Sequence, residues 1–264
     1  MILTTDAVVL HSRKYSDTSA ILSLYTAAQG KISVIAKGAR KPRSKFGSAV
    51  QPLSVMSATY YYKPGRDLHT LSNAENVLYL RTVASSFPHL SVALAIAETV
   101  SNTQHDAEQN TALFDVLRDT LAALDAAEKN LFGYFASFNI RVAELMGFMI
   151  DFSSCADTQT PIVAEEHPEY YFSFADGAPL QPDGITGGSG YRLGANALGT
   201  LQRIALSPTA AIEQIDIDAL AKSEIQNFFG NYFSYHLERR FVYRTESITA
   251  VEYPVHENIT ITPL

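Results

Sequence analysis

The segment GKISVIAKGARKPRSKFG, residues 30–47, gathers Lys31, Lys37, Arg40, Lys41, Arg43 and Lys45 with no acidic residue between them. Arg40, Lys41, Arg43 and Lys45 fall within six consecutive positions. Cations packed so closely repel one another, so folding alone gives no reason to collect them, whereas a polyanion does. Each phosphate contact releases a condensed counterion, which gives sequence-tolerant and strongly salt-dependent affinity. Phe46 and the run Tyr60-Tyr61-Tyr62 add rings for base stacking wherever one faces solvent. Alternation along YYYKPG leaves one or two of these tyrosines exposed, and Tyr61 is the candidate. A solvated basic loop that merely aids solubility is the plainer alternative.

Other reactive residues converge poorly. His105-Asp106, and His167 beside Glu165 and Glu166, match no zinc or hydrolase spacing. Glu98, Glu144 and Glu224 sit in helical patterns where a solvated face is the default. GGSG at 187–190 lacks the Lys and Ser/Thr of a phosphate loop and reads as a turn. Cys155 is the single cysteine, which excludes an internal disulfide, and no His partner for a nucleophile is evident. A nuclease would want carboxylates near the basic loop, yet residues 28–66 contain none. The sequence therefore predicts no catalysis, no metal and no cofactor.

The elements that must position the cations follow from the patterning. DAVVLHSR, TSAILSLYT, KISVIAKG, PLSVMSATYYY and LHTLSNAE are short β-branched or aromatic runs separated by turn residues. Five such strands in the first 80 residues predict a small closed barrel, which also hides their edges. Ile21 and Leu24 break strict alternation, as expected where both faces of a strand are partly covered. From Pro88 onward the apolar spacing becomes helical, with Leu113, Val116, Leu117, Leu121 and Leu124 on one face. The segment DALAKSEIQNFFGNYFSYHLERR carries an apolar stripe too wide for a lone surface helix. Between Asp151 and Tyr191 the periodicity fails, and one strand pair is expected around IVAEE and YYFSFADG. The predicted fold class is α+β: a barrel domain at 1–80, helices at 81–150 and 193–245 around an irregular or β insert at 151–192, then a tail at 246–264.

Charge follows the same division. Residues 1–80 hold ten Lys and Arg against four Asp and Glu, a balance of +6, so the other 184 hold ten against 23, or −13. The chain's net charge of −7 thus conceals a basic N-terminal part. The N-terminus does not read as a signal peptide and no run approaches a membrane span, so a cytoplasmic location is expected.

With these residues in view, YSDTSAILSLYTAAQGKISVIAKGARKPRSKFGSAVQPLS and LHTLSNAE resemble the opening domain of the bacterial RecO family of DNA repair and recombination mediators. FNIRVAELMGF and NYFSYHLERR extend the likeness more weakly. The resemblance implies an OB-type barrel joined to a helical domain, with no catalysis. It implies binding of single- and double-stranded DNA, annealing of complementary strands and help in loading the RecA recombinase. It further implies RecR and the acidic C-terminal tail of single-strand-binding protein as partners, and a nucleoid-associated role. The family's basic positions carry over to Lys37, Arg40, Lys41, Arg43 and Lys45, with Lys31 and Arg13 as outlying members.

The insert departs from the pattern. Many relatives carry two CxxC-like pairs there, whereas SSCADTQTP keeps only Cys155 and DGAPLQPDG supplies no second pair. One thiol cannot close a tetrahedral site, so the expectation is an insert without zinc, held by hydrophobic contacts. For the acidic tail, Arg239 and Arg240 on the last long helix are the first candidates, with Arg141 and Arg203 further ones; arginines near a helix C-terminus also satisfy its dipole without any partner. An adaptor whose basic loop meets an acidic protein is the alternative function.

Overall fold

The computed structural model describes residues 1–148, 150–181 and 188–245. Five strands form the N-terminal part: β1 (Ile2–Lys14), β2 (Ala20–Thr26), β3 (Gly30–Ala36), β4 (Val55–Tyr61) and β5 (Leu68–Leu78). They close in the order β1-β2-β3-β5-β4, with β3 and β5 parallel and the other pairs antiparallel. β1 is long enough to serve twice. Its first half pairs with β4 and its second with β2, and a register shift between Val9 and His11 bends it between the two.

Small and branched side chains fill the barrel: Ala7, Val9, Leu22, Leu24, Val34, Met56 and Ala58 are all fully buried. Outside the same strands, Val8, Tyr25 and Val55 are equally buried, and Leu10 nearly so, but they pack with the helices. That second contact explains why strict alternation fails in these strands. The inner set faces the lumen while part of the outer set faces a helical neighbour.

The helices are α1 (Arg81–Ser85), α2 (Phe87–Thr103), α3 (Thr111–Ala126), α4 (Leu131–Leu145), α5 (Ala195–Leu206) and α6 (Ala219–His236). Local chemistry sets several of their starts. Pro88 lies in the first turn of α2, Asn110 caps α3 by accepting from Leu113 N at 3.0 Å, and Asp218 caps α6 by accepting from Ala221 N at 2.8 Å. α6 is the spine of this part: Ile225, Phe228, Phe229, Tyr232 and Phe233 are fully buried. No helix among the described residues is long and apolar enough to cross a membrane.

The insert contains a three-stranded sheet in the order β7-β6-β8, built from β6 (Glu169–Ser173), β7 (Ala178–Leu180) and β8 (Gly190–Gly194). YYFSFADG supplies β6 as expected, but IVAEE does not pair with it. Residues Ala164–Glu166 form a short 3-10 turn instead. Pro161 and Pro168 bracket that stretch and remove two ladder donors, so β6 pairs with β7 and β8. Hydrophobic contacts anchor the insert: Phe172 meets Phe228 of α6 edge to face at 4.9 Å, and Phe152 lies against both. The tail at 246–264 and residues 182–187 of the insert lie outside the described residues.

Candidate nucleic-acid interface

The cations of interest lie on the connection from β3 to β4, residues 37–54. Three apolar side chains hold this connection to the barrel: Phe46, Ala49 and Val50 turn inward and join the barrel core. Phe46 is only 3% exposed, so it cannot stack on a base, which corrects the expectation from sequence. Its position next to Lys45 concealed a core residue. Burying such a ring stabilises by roughly 1.5–3 kcal/mol, a stronger demand than display to solvent. Lys45 Nζ lies over the ring at 5.0 Å and donates to Ser72 O at 2.5 Å.

The remaining loop cations face outward. Lys37, Arg40, Lys41, Arg43 and Lys45 are exposed. Arg40 donates to the carbonyls of Ser16 and Asp17 at 3.1 and 3.4 Å, which ties the loop to the β1–β2 turn. Carbonyls orient Arg40 and Lys45 without cancelling their charge. Lys37, Lys41 and Arg43 make no side-chain hydrogen bond or ion pair among the described residues, and no carboxylate pairs with any of the five. Arg13, near the end of β1, is also exposed and unpaired among the described residues. Tyr61, the last residue of β4, is 53% exposed, while Tyr60 points into the barrel.

Lys31 does something else. Its Nζ donates to Ser101 O at 3.0 Å and Gln104 O at 2.7 Å, the carbonyls ending α2, and lies 3.3 Å from the Asp106 carboxylate. Ala107 N donates to Lys31 O at 2.8 Å. A lysine on helix C-terminal carbonyls meets both their unpaired acceptors and the helix dipole. Lys31 is therefore part of the joint between barrel and helices, not of the outward-facing set on the β3–β4 loop. Gly30 beside it has φ +62°, and a Cβ there would sit 1.8 Å from Glu108 O, so the close approach requires glycine.

Of the four arginine candidates for an acidic peptide, three hold partners. Arg141 pairs with Glu144 at 3.0 Å, and Arg203 donates back to its own helix at Gly199 O and Thr200. Arg239 donates to Asn102 O. Arg240 has no side-chain partner among the described residues and lines a groove with Gln226, Asn231 and Phe241. Arg239 and Arg240 follow α6 instead of lying on it, since the helix ends at His236. The rings that precede them on α6, Phe228, Phe229, Tyr232 and Phe233, are consumed by the core and offer no apolar groove beside these arginines.

Cys155 is fully buried. Burial pushes its thiol up, but hydrogen bonds from the Thr158 side chain and from backbone N–H groups of Thr158, Asp157 and Gln181 outweigh this and leave it below its ordinary value. Those donors converge on the sulfur. One sulfur does not fit a tetrahedral ion, and among the described residues no three His, Cys, Asp or Glu side chains are placed to hold one.

Comparison with known proteins agrees with this architecture along its length. The family model for the N-terminal domain of recombination protein O matches residues 1–79, and that for its C-terminal domain matches residues 84–244. The DNA repair protein RecO of Salinibacter ruber is 28% identical over 249 residues, covering 94% of each chain. That of Chloroherpeton thalassium is 24% identical over 253 residues, covering 94% of this chain and 98% of the other. That of Caldanaerobacter subterraneus is 26% identical over 239 residues, covering 90% and 94%. A barrel with an open basic loop, a helical body built on α6 and two consecutive domain matches lead to one conclusion: the chain belongs to the RecO family of non-catalytic, DNA-binding recombination mediators.

Proposed function

We propose that this protein anneals complementary single strands and assists recombinase loading during DNA repair, using the β3–β4 loop of the barrel as its phosphate-facing surface. The observation that carries this reading is the outward set Lys37, Arg40, Lys41, Arg43 and Lys45, none neutralised by a carboxylate among the described residues. Cations on such a surface lower the repulsion between two backbones while base edges stay free to pair, so annealing needs no catalytic group. RecR, the single-strand-binding protein tail and, through them, the RecA recombinase are the partners this role brings. Arg240 is the arginine available to the acidic tail. The protein would act in the cytoplasm, at the nucleoid.

A strand-annealing assay comparing the wild type with a Lys37→Ala/Lys41→Ala/Arg43→Ala variant tests the assignment. The variant should anneal more slowly, and its slope of log K against log salt for single strands should be shallower by about 2, at about 0.7 per phosphate contact. A folded variant that anneals at an undiminished rate would remove the loop from the mechanism. Negligible wild-type affinity for DNA at low salt would favour the adaptor role instead.

A further inference from the structure

After α6 the chain doubles back along α2, against the direction of that helix. Arg239 donates to Asn102 O, Tyr243 OH lies 3.2 Å from Thr99 Oγ1, and Arg244 N and Thr245 Oγ1 donate to the Glu98 carboxylate at 3.1 and 3.4 Å. Phe241 and Tyr243 are buried while Val242 and Arg244 are exposed, which is the alternation of an extended strap.

The strap aims at an apolar groove. Beyond Glu98 the accessible face of α2 continues as Leu94, Leu90 and Phe87 at helical spacing, the two leucines partly exposed and Phe87 65% exposed. This stripe ends at a cavity of about 270 Å³ between β5, α1 and α2, lined by Leu53, Leu78, Tyr79, Arg81, Val83 and Leu90. Cavities that take whole small molecules run to roughly 300–1,000 Å³, so this one suits the side chains of a peptide. Arg81 is exposed, and its guanidinium has no hydrogen bond or ion pair among the described residues.

Residues 246–264 lie outside the described residues, and their sequence matches the groove. The alternation of Phe241 and Tyr243 resumes in phase at Val251, Tyr253 and Val255. Glu246, Glu252 and Glu257 give the segment negative charge, and it has no Lys or Arg. The axis of α2 from Glu98 to Phe87 is about 17 Å long at about 1.5 Å per residue. At about 3.3 Å per extended residue, Val251 stands about 20 Å beyond Thr245 and so reaches the groove. A segment tethered at Glu98 also meets it at an effective concentration of about millimolar, ahead of any free partner.

We infer that residues 247–255 continue the strap along α2 and seat Val251 and Tyr253 in this groove, with Glu252 at the rim beside Arg81. The barrel side of the groove supplies Leu53 and Leu78, and the helical side Val83 and Leu90, so the seated segment staples the two together. No cation of the β3–β4 loop takes part, and the site stands apart from the phosphate-facing surface proposed above.

Disulfide trapping in the full chain tests the seat. Ala84 is exposed on the groove wall and Cys155 is buried, so the thiols added in Ala84→Cys/Val251→Cys and Ala84→Cys/Tyr253→Cys report on the groove alone. One of these pairs should close within the molecule under mild oxidation, since a disulfide needs Cα atoms within about 7 Å. Leu206→Cys/Val251→Cys should not, with Leu206 81% exposed outside the groove. Hydrogen exchange reads a different variant. In Val251→Asp/Tyr253→Asp the amides of residues 78–84 should exchange about five- to 30-fold faster than in the wild type, while those of α4 keep their protection and show that the body is folded. Bridges between molecules would give the groove to a second copy, and Leu206 bridging as readily as Ala84 would leave the segment unseated. Either result, the absence of any bridge, or unchanged exchange at 78–84 overturns the inference.

Discussion

Lys31 offers the sharpest division between a structural cation and one proposed to contact DNA, because the proposed function assigns its neighbours in sequence to the second class. Lys31→Met keeps the stem and removes the ammonium. Its side chain is 18% exposed and donates to two carbonyls, whereas Asp106 is 81% exposed. A hydrogen bond from a charged donor contributes roughly 1.5–3 kcal/mol when both groups are buried. Here water can reach the end of α2 and replace part of that, so about 2 kcal/mol is expected for the pair. The exposed ion pair adds at most about 1 kcal/mol. Urea denaturation followed by circular dichroism should therefore show a loss of about 2 kcal/mol for Lys31→Met and under about 1 kcal/mol for Asp106→Asn. DNA affinity of the folded Lys31→Met protein should stay within about twofold of wild type, since a single phosphate contact would be missed more. Unchanged stability with a loss of affinity like that of the loop variants would refute the assignment of Lys31 to the joint.

Two further outcomes test the core. Phe46→Ala should cost about 3–5 kcal/mol in chemical denaturation, and Phe46→Leu much less; a loss below about 1 kcal/mol would return Phe46 to the surface. Burial lowers the titration of His69 and of His236. The folded state then takes up protons at lower pH than the unfolded chain. Stability from these two groups is intact above about pH 6.5, falls as the medium is acidified through that value, and levels off once the folded imidazoles are charged. Thermal melts from pH 7.5 to 5 should show part of the acid-side decline vanish in a His69→Phe/His236→Phe variant, and an identical pH profile would contradict it.

Much of the fold was readable in the residues, because strands and helices write different periods. The five barrel strands emerged from β-branched runs between turns, and α6 from a stripe of rings at helical spacing. Phe46 misled because its immediate neighbours are charged. The spacing of Phe46, Ala49 and Val50, at i, i+3 and i+4, marks one face of a short turn and could have exposed it as core. Lys31 carried no such signal. It stands outward on β3 like any solvated lysine, and only the meeting of the β2–β3 turn with the end of α2 gives it partners, a contact between segments 70 residues apart in sequence. In the insert the strands are too short, and too crowded by proline, for periodicity to separate them from turns.

The plug formed by Phe46, Ala49 and Val50 has an energetic consequence for ligand capture. Because the cationic loop is nailed into the barrel's hydrophobic interior, its shape is settled before any nucleic acid arrives, and little disorder is left to surrender on contact. Calorimetry of the encounter should then show only a small heat-capacity change, far from that of a segment that folds as it binds. A surface prepared in this way can take up and release strands without remaking itself, as the proposed annealing role requires.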